Sequence, residues 1–320
     1  MRNVDAAGLG VGDDHPPRIM GVLNVSDESP YEPSVFDDPG EAAAYVDREL
    51  IGEGADIVDV GLETANKRFD VLPAEAELAR LDTAVEAMES TSGDAVWSIE
   101  TRYADVAAAA LDAGFDMVND VCGFADPEML RVCEERDAAV VKMASPPDLE
   151  RPGAVEEVDD IYAALEREGL TEKTIVDPAF GGWSEAKTLE HDRETFRRLR
   201  EFRGLGRPVL VSINRKNFLK DVAGRDTEGA LPVSLAATSM AVDGGTALVG
   251  APGHDDPDGY SHGTAHAFVG SGDDWSLQRS LVAREGTPED YSADEFGTAV
   301  AVEGDVALVG APWGENADGL

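Results

Sequence analysis

Met20-Gly21-Val22-Leu23-Asn24-Val25, Val118-Asn119-Asp120-Val121-Cys122-Gly123 and Ile213-Asn214-Arg215-Lys216 share one design: an apolar run that ends abruptly in polar or charged groups. A strand that is apolar throughout belongs in the middle of a parallel sheet, and polar residues clustered at its end mark the face where chemistry is assembled. Similar strand-like runs lie at residues 56–60, 95–99, 138–143 and 174–177, and the outermost of the quoted runs extend over 19–25 and 209–213. Between them fall helical patterns at 40–52, 73–89, 103–113, 126–136, 155–168 and 190–202, with another at 228–242 after the seventh strand. Seven βα units of this length predict an α/β chain folded as a (β/α)8 barrel with one strand outstanding.

From residue 243 the composition changes. Ala241-Val242-Asp243-Gly244-Gly245-Thr246-Ala247-Leu248-Val249-Gly250-Ala251-Pro252 recurs as Ala301-Val302-Glu303-Gly304-Asp305-Val306-Ala307-Leu308-Val309-Gly310-Ala311-Pro312, an offset of 60 residues. A period of that order signals a repeat architecture, and short Ala/Val/Leu runs bounded by Gly and Asp suit short strands. The expected organisation is a disordered leader over 1–18, a barrel over 19–242 and a short all-β repeat segment over 243–320. Ala237-Thr238-Ser239-Met240-Ala241-Val242 would serve as a barrel helix, yet it aligns with Gly297-Thr298-Ala299-Val300-Ala301-Val302 of the repeat. That shared stretch reads as the joint of a chimera.

The net charge is −39, from 65 acidic and 26 basic residues. It disfavours nucleic acid and anionic membranes as partners, and its spread over every predicted helix suits a halophilic cytoplasm, where salt screens self-repulsion. No run reaches the roughly 18 apolar residues of a membrane span, which supports a cytoplasmic location. Cys122 and Cys133 lack metal-ligand spacing and read as free buried thiols.

The strand-end motifs resemble dihydropteroate synthase, a pterin-binding family of folate synthesis, from about Arg18 to Val242; Phe296-Gly297 followed by Val309-Gly310-Ala311-Pro312 resembles the FG-GAP repeat of β-propellers. The first resemblance implies a Mg²⁺-assisted condensation of dihydropterin methyl pyrophosphate with p-aminobenzoate, releasing pyrophosphate, in a possible homodimer. It implies Asn24 near the metal, and Glu100, Asn119, Asp177 and Lys216 on the pterin. Lys216 and its neighbour Arg215 would be catalytic, and Thr64, Lys67 and Arg68 would meet pyrophosphate or aminobenzoate. The sequence departs from the family in several places. Glu100 stands where the family has aspartate, and the added methylene moves the carboxylate by more than about 1 Å. Asn66 falls on an arginine position, with Lys67 or Arg68 beside it to supply the charge. Lys187 is a stand-in for a lysine expected after the sixth strand, and Ala144 replaces a histidine. Where the family carries Arg-x-His-Asp-Val on its eighth strand, Thr246-Ala247-Leu248-Val249 would place Gly250, Pro252 and Gly253.

Two other functions fit parts of the chain. A pterin-dependent methyltransferase would use the same barrel without pyrophosphate. A calcium or adhesion module would centre on the repeat segment and on Asp255, Asp256, Asp258 and Gly259.

Overall fold

The structure, a computed structural model, describes residues 3–26, 28, 32–64, 70–147, 155–181, 186–213, 216–224, 234, 237–238 and 241, and beyond these the strands at 246–251, 264–271, 274–282, 299–303 and 306–310. The described residues fall into two compact units: Met1–Thr188 with Glu201–Leu210, and Leu189–Arg200 with Val211–Leu320.

The first unit opens with a surprise. The leader expected to be disordered forms a hairpin of β1 (Val4–Ala6) and β2 (Leu9–Val11). Ala7 and Gly8 have φ of 50° and 92°, the two positive values that a tight two-residue hairpin turn demands. Val4 and Ala6 are buried among Ile57, Met117, Ala139 and Val141. The hairpin therefore closes the end of the sheet where the strands begin. Alternation in Val-Asp-Ala-Ala-Gly-Leu-Gly-Val was the signal, outweighed in the sequence by the surrounding Gly, Asp and Pro.

Six parallel strands follow: β3 (Met20–Asn24), β4 (Ile57–Gly61), β5 (Val96–Thr101), β6 (Met117–Asp120), β7 (Ala139–Met143) and β8 (Thr174–Asp177). They pair in chain order without reversal, which is the winding of a barrel; a doubly wound sheet reverses direction at a switch point. The connecting helices are α1 (Pro39–Tyr45), α2 (Ala74–Ser90), α3 (Ala104–Asp112), α4 (Met129–Glu135) and α5 (Val158–Glu166). Asp38 caps α1 by accepting from the Glu41 amide at 2.8 Å, with Pro39 in the first turn.

Period-two alternation divides the strand residues between two cores. Leu23, Val60, Ile99, Val118 and Val140 face the helices. Ile57, Val96, Met117, Val141 and Ile175 face the concave side, against the hairpin. The seventh strand, expected at 209–213, is reduced to a parallel bridge between Val176 and Val209, with the Val176 amide donating to Pro208 and the Leu210 amide to Val176. Cys122 and Cys133 are free and buried, and burial pushes the Cys133 thiol up to about 12, which leaves it inert.

The second unit contains α6 (Leu189–Arg197) and α7 (Asn217–Ala223), whose Phe196 and Phe218 rings lie 6.3 Å apart and whose Arg193 and Asp221 form an ion pair. Of the helix expected over 228–242, residues 234, 237, 238 and 241 are described and are helical. Thr238 donates back to the Ser234 carbonyl at 2.9 Å.

The repeat segment is all-β. β9 (Thr246–Ala251), β10 (Thr264–Ser271) and β11 (Asp274–Val282) form an antiparallel sheet in the order β11-β10-β9, and β12 (Ala299–Glu303) pairs with β13 (Val306–Gly310). The repeated Ala-Leu-Val-Gly is thus a strand in both copies. Residue 241, however, is helical where its counterpart Ala301 is extended. The reading of Thr246–Val249 as an eighth barrel strand is corrected by this pairing: β9 runs antiparallel to β10, with Gly250 opposite Ala265. Among the described residues β3 has β4 as its single strand partner in the parallel sheet, and its concave-facing Val22 is 46% exposed.

Candidate active site

The register of the sheet brings the candidate residues to one row. Asn24 lies opposite Gly61, Gly61 opposite Glu100, and Glu100 opposite Asn119, each the last or next-to-last residue of its strand. Asp177 ends β8 on the same concave face, two residues beyond Ile175. Four of the candidates read from the sequence, Asn24, Glu100, Asn119 and Asp177, therefore share one end of the sheet and one face of it.

Each is set by its local chemistry. The Asn24 amide donates to Ser34 Oγ at 2.8 Å, which aims its oxygen over Gly61; a Cβ at that glycine would lie 2.8 Å from Asn24 Oδ1. Only glycine leaves that space. Asp177 is 6% exposed and accepts from the Ala179 amide at 2.7 Å, an approach made possible by the left-handed Ala179 at φ 61°. Lys187, expected as a stand-in cation, is buried and donates to the Ala179 carbonyl at 2.6 Å, so it braces the turn behind Asp177.

The residue that the motifs did not single out is Asp59. It sits on β4 with 4% exposure, accepting from Ser98 Oγ at 2.6 Å and from Asn119 Nδ2 at 2.8 Å. Burial raises its pKa, the two hydrogen bonds oppose the shift, and the nearby charge of Asp177 adds to it. Its bond to Asn119 fixes that amide with the oxygen directed away from Asp59. A carboxylate inside the apolar run Ile57-Val58-Asp59-Val60 was the available signal.

Behind this floor lies a buried charge cluster. Thr101 Oγ1 donates to Glu77 Oε2 at 2.6 Å, and Arg102 pairs with Glu63. Burial pushes the Glu77 carboxyl up to about 7, with Thr101 and Arg102 opposing the shift and Glu63 reinforcing it. A carboxyl whose folded pKa is raised holds its proton in the folded state while the unfolded chain has released it. Its contribution to stability is therefore complete below the ordinary carboxylate range and is lost as pH rises towards about 7. Glu77→Gln should remove that loss. The stability of the variant relative to the native chain should rise by on the order of 3 kcal/mol between about pH 4.5 and 7.5. Denaturant unfolding at several pH values measures it, and a difference independent of pH would show that folding does not shift the Glu77 carboxyl.

The remaining candidates are placed less fully. Thr64 lies three residues beyond the end of β4, while Lys67 and Arg68 lie outside the described residues, as do Arg215 and the acidic loop at 255–259. Lys216 belongs to the second unit, where it precedes α7 with an extended backbone, φ −68° and ψ 150°. Among the described residues no cluster of three or more His, Cys, Asp or Glu could hold a metal.

The family model of pterin binding enzymes matches residues 20–250. The chain belongs to that family. A model of the FG-GAP repeat matches residues 275–320. A probable bifunctional folylpolyglutamate synthase/dihydropteroate synthase of Haloferax volcanii is 34% identical over 77% of this chain, yet the match spans only 30% of that protein's length. Dihydropteroate synthase of Clostridium beijerinckii is 28% identical over 70% of this chain and 84% of its own length. Among solved structures, dihydropteroate synthase from Thermus thermophilus, in complex with 4-aminobenzoate and with 6HMPPP, superposes with a TM-score of 0.60 at 30% identity, covering 76% of this chain and 90% of that one. The α/β barrel and its pterin-binding ancestry are thereby shown.

Proposed function

We propose that the barrel is a dihydropteroate synthase: it binds dihydropterin methyl pyrophosphate and transfers the pterin methylene to p-aminobenzoate, releasing pyrophosphate. The observation that carries this reading is the shared concave floor of Asp59, Asn119 and Asp177, with Asn24 at the same strand ends. A pterin offers adjacent N–H donors on its aminopyrimidine edge, which a carboxylate such as Asp177 accepts as a pair. Asn119, oriented by Asp59, supplies an acceptor beside it, and Glu100 adds a second carboxylate in the same row. The resemblance assigns Lys216 and Arg215 to the pterin and the reacting centre, and Thr64, Lys67 and Arg68 to the anionic groups of pyrophosphate and aminobenzoate.

The donors fit Mg²⁺ held mainly by substrate. This ion keeps oxygen ligands and is usually bound by one or two protein groups together with phosphates. Asn24 Oδ1 is a suitable oxygen, and the Ser26 hydroxyl, buried two residues further on, has no hydrogen-bond partner among the described residues. When bound there, the ion would neutralise charge on the leaving pyrophosphate. The protein's own task is to hold the pterin flat against the floor while the exocyclic methylene loses its leaving group and the aniline nitrogen attacks.

The charge of −39 supports a salt-rich cytoplasm, so binding is best measured at about 2 M KCl with Mg²⁺. Titration with dihydropterin methyl pyrophosphate should give at least ~10-fold tighter binding than with the hydroxymethyl pterin that lacks pyrophosphate. Equal affinity for the two would favour a pterin-dependent methyltransferase, which has no pyrophosphate to hold. No helix among the described residues is long and apolar enough to cross a membrane.

A further inference from the structure

A side-chain amide can show a ligand either its oxygen or its nitrogen, and the group behind it decides which. Behind Asn119 stands Asp59. Asn119 Nδ2 donates to Asp59 Oδ2 at 2.8 Å, and Ser98 Oγ donates to Asp59 Oδ1 at 2.6 Å. All three side chains are buried, Ser98 completely, so bulk water does not mediate the exchange. An ionised carboxylate has acceptors and nothing to donate, which suits two donors at once. It draws the nitrogen of Asn119 inward and leaves the oxygen for a ligand.

A proton on Asp59 reverses that arrangement. The new O–H needs an acceptor, and Ser98 and Asn119 are the two in reach. If Ser98 Oγ took it, the serine's own buried proton would lose its acceptor, a costly outcome. Asn119 can take it by turning its amide over, which keeps every bond inside the protein. The turned amide shows NH2 to the ligand, and a pterin's amino group then meets donor with donor. The surroundings favour this proton. Val22 of β3 lies opposite Asp59, and Met117 of β6 and Val141 of β7 line the same concave face. The other titratable groups on that face of the six strands are Glu100 on β5 and Asp177 on β8, both carboxylates, and no strand residue there is cationic. Burial and the charge of Asp177 raise the pKa of Asp59 against its two hydrogen bonds.

We propose that Asp59 is a positioning residue that sets the polarity of Asn119, so that the floor takes up the amino group of a pterin while Asp59 is ionised and rejects it once Asp59 carries a proton. The inference rests on the function proposed above and adds to it a proton-controlled selectivity. Asp59 is ionised above its raised pKa and protonated below it. Dihydropterin affinity should therefore be full at about pH 8 and fall towards about pH 5, by up to about tenfold per pH unit for a single proton.

The test uses the full chain at high salt with Asp59→Asn and with the exchanged pair Asp59→Asn/Asn119→Asp. Each is titrated with hydroxymethyl dihydropterin and with the analogue that carries hydrogen in place of the amino group. In Asp59→Asn the new NH2 does what the acid proton does, so dihydropterin affinity should fall at least ~10-fold at about pH 8 and stay low down to about pH 5. The analogue, which has no amino group to oppose, should lose less than half as much on a logarithmic scale. In the exchanged pair the carboxylate at position 119 accepts from the amide at position 59 and still shows an oxygen to the ligand, so at least half of the loss should return. A residue that only supports the fold would weaken both ligands alike and would not be rescued by the exchange. Equal dihydropterin affinity of the native chain and Asp59→Asn overturns the inference, as does a loss shared equally by the analogue and not recovered in the exchanged pair. If Asp59→Asn fails to fold, the exchanged pair and the native pH profile decide: no binding by the pair, or a native profile flat from about pH 8 to about pH 5, overturns it. Failure of the native chain to bind dihydropterin at any of these pH values would remove the proposed function itself, an outcome distinct from native binding that ignores residue 59.

Discussion

Asp177→Asn should weaken dihydropterin binding by about 100-fold, and Asp177→Ala by at least ~30-fold. The larger effect belongs to the more conservative change because of which atoms face the ligand. Asp177 Oδ1 already accepts from the Ala179 amide at 2.7 Å. An asparagine that keeps this bond must turn its NH2 towards the pterin, so that donor meets donor. Alanine removes the acceptor and leaves buried pterin donors unpaired, a cost of roughly 2 kcal/mol or more. It also releases Ala179 from its left-handed turn, so the alanine variant should lose some folding stability while the asparagine variant should not. Titration at high salt, with thermal unfolding as the control, separates the two effects. Pterin affinity within about threefold of the native value in the asparagine variant would remove Asp177 from the site.

The barrel was legible because each strand is short, apolar and bounded, and because polar residues occur at the ends rather than the middles. Asn24, Glu100, Asn119 and Asp177 stood out as polar residues at strand ends for the same reason, the resemblance implied their roles, and the sheet register puts them at one end of the sheet. What the motifs missed was of two kinds. Asp59 lies two residues before its strand's end, where a carboxylate reads as a break in an apolar run rather than as part of a site. Its importance appears only when Asn119, 60 positions later, is seen to donate to it. The bonding of Arg102 to Glu63 and to the Leu72 carbonyl is likewise a long-range fact: its partners are 39 and 30 residues away. Local pattern reports which face a side chain takes and is silent on which distant group it meets. The hairpin at Val4–Val11 failed for a different reason, since its strands are three residues long and are stabilised by packing on residues of β4, β6 and β7 rather than by themselves.

The largest change in turnover should come from the C-terminal segment. Replacing residues 243–320 with a family-like ending that contains Arg-x-His-Asp-Val should raise the rate of pyrophosphate release by ~10²-fold or more, while dihydropterin affinity changes little. The proposed pterin floor of Asp59, Asn119 and Asp177 lies within Met1–Thr188 and, like Lys216, outside the replaced segment. The pyrophosphate, by contrast, is expected to meet an arginine and a histidine at the end of an eighth strand. In this chain the corresponding run is β9, which pairs antiparallel with β10, and its Gly250 carries no charged side chain. Losing such charge-assisted contacts at a leaving group is worth on the order of 2–4 kcal/mol in the transition state. Among the described residues β3 pairs in the parallel sheet with β4 alone, so a repaired chain whose eighth strand joins β3 should also unfold at a higher temperature. Binding and turnover are thus separable in one experiment: pyrophosphate release by the two chains at saturating dihydropterin methyl pyrophosphate and p-aminobenzoate, at high salt with Mg²⁺. If the native chain already turns over as fast as the repaired one, the charge on the leaving group is met by residues upstream of 243, with Arg215, Lys216 and the β4–α2 loop as the first to test.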